Sequence, residues 1–185
     1  MERGGGRRDR VTAILLRGST AHQRKELAEA ERLYTEALDI YRDLGEEASQ
    51  AIVLNDLGGV ARERKDYARA GEFFRQALAI AEKIGNKSHQ ATHSGNLGKV
   101  ALEQNRPAEA RRWFERELTL AQEVGRQDVV AAAQEGLAGV LEKESRPDEA
   151  LVLAEEALRI REHLRDQNLD WTRNLVERLR KKAGK

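Results

Sequence analysis

The sequence predicts an all-α protein built from stacked helix–turn–helix units. A 40-residue pattern occurs four times without an insertion or a deletion, starting at Arg17, Leu57, Leu97 and Leu137. Within each copy, apolar residues recur at the three- and four-residue spacing of helices, and no stretch shows the alternation of a strand. Copies that stack along an axis bury their apolar faces against their neighbours, and they leave a large surface for partners.

Composition limits the class of protein. Of the 185 residues, 35% are charged and only 4% are aromatic, so Ala, Leu, Val and Ile must make most contacts between units. The absence of cysteine excludes disulfides, thiolate zinc sites and cysteine nucleophiles, and it favours a cytoplasmic location. No apolar run approaches the roughly 18 residues that cross a bilayer. We therefore expect neither a membrane span nor a secretory signal.

Net positive charge is concentrated at the two ends of the chain. Residues 1–10 carry a net charge of +2 and residues 173–185 carry +5, which leaves about −6 for residues 11–172. Nucleic-acid-binding proteins usually carry their basic residues along the folded surface instead. We therefore expect no nucleic-acid partner, and we interpret residues 1–10 as a flexible basic leader.

Each copy is predicted to contain two helices, of about 15 and 17 residues. Proline suits a first helical turn, and Pro107 and Pro147 stand where a second helix would start. The second helices of the first three copies are each followed by a glycine suited to a left-handed C-terminal cap: Gly45, Gly85 and Gly125. Three residues further on, polar residues are the expected N-caps of the next helix: Ser88, Asp128 and Asn168.

Small and large residues recur at fixed positions of the repeat, and we call each set of equivalent positions a column. Small residues that let paired helices approach closely form two columns: Gly18, Gly58, Gly98 and Ala138, then Ala30, Ala70, Ala110 and Ala150. Large residues expected to fill the remaining space form two more: Leu38, Leu78, Leu118 and Leu158, then Tyr34, Phe74, Phe114 and Ala154. We interpret the aromatic residues as core rather than as a cofactor site.

The residues in these columns resemble the tetratricopeptide repeat (TPR) family. The second copy carries Leu57-Gly58, Tyr67, Ala70, Phe74 and Ala77 at the signature positions, and the third copy repeats the pattern except at Glu117, where a small residue is usual. The resemblance covers about residues 17–168. The 40-residue length is similar to the subclass that includes kinesin light chains, the Pins/LGN polarity proteins and bacterial signalling proteins.

The resemblance implies a right-handed α-α superhelix, a solenoid of four helix–turn–helix repeats with a C-terminal capping helix. The expected divisions are a leader at 1–10, repeats at about 11–48, 49–88, 89–128 and 129–168, and a capping helix with a basic tail at 169–185. The first helices of such repeats form the concave wall on which partner segments bind. The apolar stripe after residue 168 is out of phase with the earlier first helices, which is typical of a cap.

The resemblance also implies which residues line the concave face. In relatives, an Asn just before Leu-Gly often contacts the ligand backbone, and Asn96 matches that position while Asp56 does not. We expect Glu103, Glu135 and Glu142 to form an acidic end that favours a ligand of basic character. The full set of expected peptide-binding residues is Asn55, Asp56, Arg62, Thr92, Asn96, Lys99, Glu103, Glu135 and Glu142.

Catalytic patterns are weak. His89 and His93 lie four residues apart as in zinc proteases, but Gln90 stands where that motif needs its Glu general base. No Gly-x-Ser-x-Gly turn and no phosphate-binding loop is present. We therefore expect no enzyme, no metal site and no cofactor.

Two functions remain open. The leading hypothesis is a non-catalytic scaffold that binds a peptide or a helical segment of a partner protein in its concave groove. The alternative is a sensor or oligomerisation arm of a bacterial-type signalling or regulatory system. Leu15 and Leu16 lie at an apolar N-terminal edge, so we expect association of copies through residues 11–44. Dimerisation without a ligand would favour the alternative.

Overall fold

The computed structural model describes the backbone of residues 3–184 and the side chains of residues 6–184. This part of the chain forms nine helices and no strand. Their bounds are α1 Arg3–Gln23, α2 Leu27–Leu44, α3 Glu47–Glu63, α4 Tyr67–Lys83, α5 Lys87–Glu103, α6 Pro107–Glu123, α7 Gln127–Lys143, α8 Pro147–Leu164 and α9 Leu169–Lys182. Among these helices none is both long and apolar enough to cross a membrane.

The chain divides into two compact units, Met1–Gly85 and Asn86–Lys185. The first unit contains α1 to α4, and the second contains α5 to α9. Helices α1, α3, α5 and α7 are the first helices of the predicted repeats, and each packs against the even-numbered helix that follows it. The predicted pairing of helices along the chain is therefore confirmed.

Residues in the left-handed backbone conformation end the helices at two sets of turns. The predicted glycine caps at Gly45, Gly85 and Gly125 have φ angles of 68° to 72°. Inside each pair, the turn uses a residue with a side chain in the same conformation, with φ between 57° and 62°: Lys25, Lys65, Asn105 and Ser145. At the Lys65 turn, the Asp66 N–H donates to the Ala61 carbonyl, so the bend satisfies the last carbonyls of α3.

The first helices of repeats 3 and 4 begin earlier than predicted. Asn86 is the N-cap of α5, and its side chain accepts a hydrogen bond from the His89 N–H at 3.0 Å. The predicted caps Ser88 and Asp128 instead lie within the first turns of α5 and α7. The glycine caps leave room for one capping residue only, so the next helix starts two residues after each glycine. Asn168 does precede α9, although its side chain makes no capping hydrogen bond.

The small residues allow aromatic rings to lie on the helix backbone. The Phe114 ring of α6 lies between Gly98 on α5 and Gly136 on α7, where a Cβ would come within 2.7 Å and 2.5 Å of ring carbons. Phe74 covers Gly58 in the same way. The predicted core column is buried, with Tyr34, Phe74 and Phe114 at most 3% exposed.

The flexible leader predicted for residues 1–10 is wrong for the residues that the structure describes, because α1 already begins at Arg3. The helix extends because its next turns are fixed to α2 and α3. Val11 is 1% exposed, Arg8 donates to Glu46 at 2.9 Å, and Arg10 donates to Glu36 at 2.7 Å. Met1 and Glu2 lie outside the described residues.

Helix α9 covers the end of the second unit, as the out-of-phase stripe predicted. Its buried side chains pack against α8 and the last turns of α7, and its last turn is basic. Cations are stabilised at a helix C-terminus by the helix dipole. The buried residues of the helix are Thr172, Leu175, Val176 and Leu179.

Candidate functional site

The expected binding residues of the first unit all lie on α3. Asn55, Asp56 and Arg62 are partly buried on this helix. Burial raises the pKa of Asp56 to about 6, opposed by a hydrogen bond from the Asn55 side chain and by the nearby imidazole of His22. Asp56 therefore remains mostly ionised at neutral pH in a partly desolvated position.

Polar groups from α1 and α2 surround Asp56. Tyr34 lies beside it, and burial together with the Asp56 charge raises the pKa of the Tyr34 phenol to about 12, against a hydrogen bond with Ser19. His22 Nε2 lies 3.2 Å from Glu63 Oε1 without forming a hydrogen bond. Lys25 Nζ lies 2.9 Å from the other Glu63 oxygen. The first unit thus presents donors and acceptors from three helices around one carboxylate.

In the second unit, α5 carries four expected residues along one face. Thr92 and Asn96 are partly buried, whereas Lys99 and Glu103 are exposed. The Thr92 hydroxyl donates to the Ser88 carbonyl at 3.2 Å, which fixes its rotamer. This face offers an amide, an ammonium group and a carboxylate within three helical turns.

Glu135 does not form the accessible acidic end that the sequence predicted. It is 8% exposed, and its oxygens accept from Arg161 Nε at 3.0 Å and Nη2 at 2.9 Å. The Thr172 hydroxyl donates to the same carboxylate at 2.6 Å. Arg161 also contacts Asp166 at 2.6 Å. The repeat pattern missed this network because Arg161 and Thr172 belong to α8 and α9, where the repeat departs from its columns.

Glu142 is likewise paired within the chain. Arg178 donates to it at 2.9 Å and Lys182 at 2.8 Å, both from α9. These hydrogen bonds lower the pKa of Glu142, while burial opposes them. Of the three carboxylates expected to attract a basic ligand, Glu135 and Glu142 are therefore neutralised by the capping helix and by Arg161.

The structure adds a residue that the sequence did not assign to the site. Glu117 on α6 is 3% exposed, and its buried Oε2 makes no hydrogen bond to the described residues. Burial raises its pKa to about 8; Glu135 adds to the rise, and Lys99 and Arg161 oppose it. Its departure from the small residues of the column was visible in the sequence, but its position against Gly95 was not.

Stability is expected to depend on pH through Glu117. The folded-state pKa of about 8 exceeds the ordinary value of 4.5, so the unfolded chain loses this proton first as pH rises. The free energy of unfolding should therefore fall between pH 4.5 and 8, by up to about 1.4 kcal/mol per pH unit. The wild type should lose about 4 kcal/mol of stability between pH 4.5 and 7.5 by this linkage. Glu117→Gln should remove the slope and stabilise the chain at pH 7.5 by about 4 kcal/mol less the cost of burying the amide, about 1–3 kcal/mol.

Urea unfolding at pH 5 to 8, followed by tryptophan fluorescence, measures this dependence in the second unit, which holds both tryptophans, Trp113 and Trp171. Glu115→Gln, at an exposed position of the same helix, is the matched control and should retain the wild-type slope. Equal slopes for wild type and Glu117→Gln would contradict the prediction.

His89 and His93 lie close together on α5, and we interpret them as packing residues. His93 is 3% exposed, and burial followed by the proximity of His89 lowers its pKa to about 4. The two rings lie 5.9 Å apart. No group of three or more potential metal ligands occurs in the described part of the chain.

Comparisons with known proteins identify similar folds. The profile of the Tetratricopeptide repeat family matches residues 9–83, 49–123 and 89–163. BtubC (BKLC) from P. vanneervenii superposes with a TM-score of 0.80 at 23% identity, covering 94% of this chain and 73% of that one. TPR-like repeats of a Podosopora anserina protein assigned as a kinesin light chain give 0.73 at 17% identity, covering 95% and 87%.

A Rap protein complexed with Competence and Sporulation Factor superposes with a TM-score of 0.84 at 17% identity. The match covers 92% of this chain but 48% of the Rap protein, so the chain spans about half of that relative's length. No curated protein sequence matches the chain. The structural similarities confirm the predicted fold class, an all-α superhelical solenoid.

Proposed function

The chain belongs to the tetratricopeptide repeat family, and on that basis we propose that it is a non-catalytic scaffold that binds a peptide or helical segment of another protein. Arrays of this family are generally protein-interaction scaffolds. The proposed binding surface is the first-helix face of the repeats, the concave groove of the family. The proposed compartment is the cytoplasm, because a chain without cysteine gains nothing from an oxidising one.

The observation that carries this proposal is the polar face of α5. Leu97, Val100 and Ala101 of this helix are buried, while Asn96, Lys99 and Glu103 remain at or near the surface. An amide side chain can donate to a peptide carbonyl and accept from a peptide N–H at once, so Asn96 suits binding to a main chain of varied sequence. Lys99 and Glu103 can then select charged side chains of the partner.

The first unit offers a second polar face for the same purpose. Asn55 and Asp56 occupy on α3 the positions that precede Leu57-Gly58, one repeat before Gly95 and Asn96. A Rap protein of similar fold is complexed with Competence and Sporulation Factor, and this supports partner binding by analogy of fold.

Substitution on the α5 face tests the proposal. Partners captured from cell extract by the full chain are identified and purified, and their affinity is measured by calorimetry. Asn96→Ala with Lys99→Ala is expected to weaken binding by about tenfold or more, the usual effect of losing a central polar contact and a charge. Circular dichroism should show an unchanged helix content.

The matched control is Arg112→Ala with Gln122→Ala, which removes a cation and an amide at exposed positions of α6. This control should bind as the wild type does. Equal affinities of the Asn96/Lys99 variant and the wild type would contradict the proposal.

The alternative function, an oligomerisation or sensor arm, is favoured by one observation on α1. Leu16 is 71% exposed, whereas Val11 and Ile14 of the same helix are buried. A second copy that covers residues 11–44 would remove Leu16 from water. Sedimentation equilibrium at high protein concentration distinguishes the two functions, because self-association lost in Leu16→Asp would support the alternative.

A further inference from the structure

Glu117 is a buried acid with one carboxyl oxygen that lacks a hydrogen-bond partner. The residues at its column in the other repeats are small: Ala37, Ala77 and Ala157. Those three are 0% exposed and pack helix against helix, whereas Glu117 at 3% exposure places a carboxyl in the same position. Its Oε2 is buried and has no hydrogen-bond partner among the described residues. Buried polar groups without partners are rare, and they point to a ligand, an ion or a function.

Gly95 directs this carboxyl to the α5 face. A Cβ built on Gly95 would lie 2.5 Å from Glu117 Oε2, so the carboxyl occupies the space of a side chain at position 95. Gly95 is adjacent to Asn96 and one turn from Thr92 and Lys99, the residues of the proposed binding surface. Glu117 therefore adds a carboxyl from α6 to a face otherwise built from α5.

The charged groups around Glu117 come from α5, α7 and α8. Glu135 from α7 faces it, and the oxygens of Glu135 already bind Arg161 and Thr172. Arg161 from α8 divides its guanidinium between Glu135 and Asp166. Lys99 from α5 attracts the ionised form of Glu117. Burial outweighs the attraction of these cations, because the pKa of Glu117 is raised to about 8.

We propose that the Glu117 carboxyl is a recognition site for a cationic side chain, lysine or arginine, of the segment that binds to the α5–α7 face. This inference rests on the proposed function. A cation supplies a hydrogen-bond donor for Oε2 and a positive charge that stabilises the ionised acid, whereas a neutral donor supplies only the first. It also relocates the expected basic-ligand site from Glu135 and Glu142, which are paired within the chain, to Glu117.

The proposed contact couples binding to the release of a proton. The raised pKa of about 8 keeps Glu117 largely protonated at pH 6, and the cation binds the ionised form. The apparent affinity scales with the ionised fraction of the acid. From pH 6 to 7 the apparent Kd should fall roughly tenfold, and from pH 7 to 8 roughly fivefold. A neutral donor bound to the protonated acid would give the opposite trend.

Blocked amino acids test the site without knowledge of the partner. N-acetyl-arginine N′-methylamide, its lysine counterpart and its neutral citrulline counterpart are titrated into the full chain at pH 6, 7 and 8. Amide chemical shifts in nuclear magnetic resonance spectra report binding, with the Gly95 amide as the local probe. We expect arginine, lysine or both to shift this amide with the stated pH dependence, and citrulline to bind at least roughly tenfold more weakly at pH 8.

Glu117→Gln keeps the size of the side chain and should abolish the pH dependence and the preference for the cation. Glu115→Gln is the matched control on the same helix and should behave as the wild type. The inference is overturned if arginine and citrulline bind equally, if Glu117→Gln leaves the Kd unchanged, or if no probe shifts the Gly95 amide. Comparison of the arginine and lysine titrations identifies which cation the site prefers.

The outcomes separate this inference from the proposed function. In one outcome, a cationic probe binds at Glu117 while the Asn96/Lys99 variant still binds the partner as the wild type does. This result would contradict the scaffold proposal and support the carboxyl site. In the other outcome, the Asn96/Lys99 variant loses partner binding but Glu117→Gln does not change it at any pH. This result would support the scaffold proposal and contradict the cation site.

Discussion

Arg161→Met is expected to lower the free energy of unfolding of the second unit by about 3–5 kcal/mol. Arg161 is 4% exposed, and it is the cation that neutralises Glu135, which is 8% exposed. Met has a similar length but no charge, so the substitution leaves a buried carboxylate whose remaining protein donor is Thr172. The cost arises from that uncompensated charge rather than from lost volume.

Urea unfolding followed by tryptophan fluorescence measures this loss, because Trp113 and Trp171 both belong to the second unit. Arg159→Met, at an exposed position two residues away, should change stability by less than about 0.5 kcal/mol. Adding Glu135→Met to Arg161→Met should recover most of the loss, since it removes the remaining buried charge. A loss below about 1 kcal/mol for Arg161→Met alone would show that Glu135 is solvated in the folded protein.

Gly98→Ala is expected to destabilise the second unit by about 2–3 kcal/mol, although alanine is the better helix former by about 1 kcal/mol. A Cβ at position 98 would lie 2.7 Å from the Phe114 ring. The ring has little room to withdraw, because the same ring carbons also lie against Gly136 and the residue is 1% exposed. In the fourth repeat, Ala138 takes the place of this glycine and Ala154 takes the place of the ring.

The matched control is Gly139→Ala on α7, where the nearest atom to an added Cβ is Leu102 Cδ2, the end of a mobile side chain, at 3.2 Å. There the gain in helix propensity should dominate, and stability should rise by about 0–1 kcal/mol. The two alanine substitutions are thus expected to have opposite signs in the same unfolding experiment. A stabilising Gly98→Ala would show that Phe114 does not rest on the α5 backbone.

Much of the fold could be predicted from the repeat alone. The pairing of helices, the glycine caps, the prolines at the starts of α6 and α8 and the buried aromatic column all follow from short-range rules that act identically in each copy. The N-cap predictions were wrong where two nearby residues were both suitable as caps. Ser88 was an acceptable cap by type, but Asn86 lies closer to the glycine that ends the preceding helix.

The candidate site was less predictable. The α5 residues Thr92, Asn96, Lys99 and Glu103 lie on the expected helix, because helical spacing determines which side chains share a face. The accessibility of a carboxylate depends on the residues that pack against it from other helices, and these residues differ from one acid to the next. Glu142 is paired with α9, Glu135 is paired with Arg161, and Glu117 is buried against Gly95.

The sequence by itself determined the unit, its length, its helices and the small residues that allow close packing, since periodic local signals carry this information. Only the tertiary structure decided which charges face one another. Arg161, Thr172 and Arg178 lie 26 to 37 positions from Glu135 and Glu142, with which they pair, and occur where the repeat is broken. Electrostatic pairing depends on distance and burial in three dimensions, and a column of residue types contains neither.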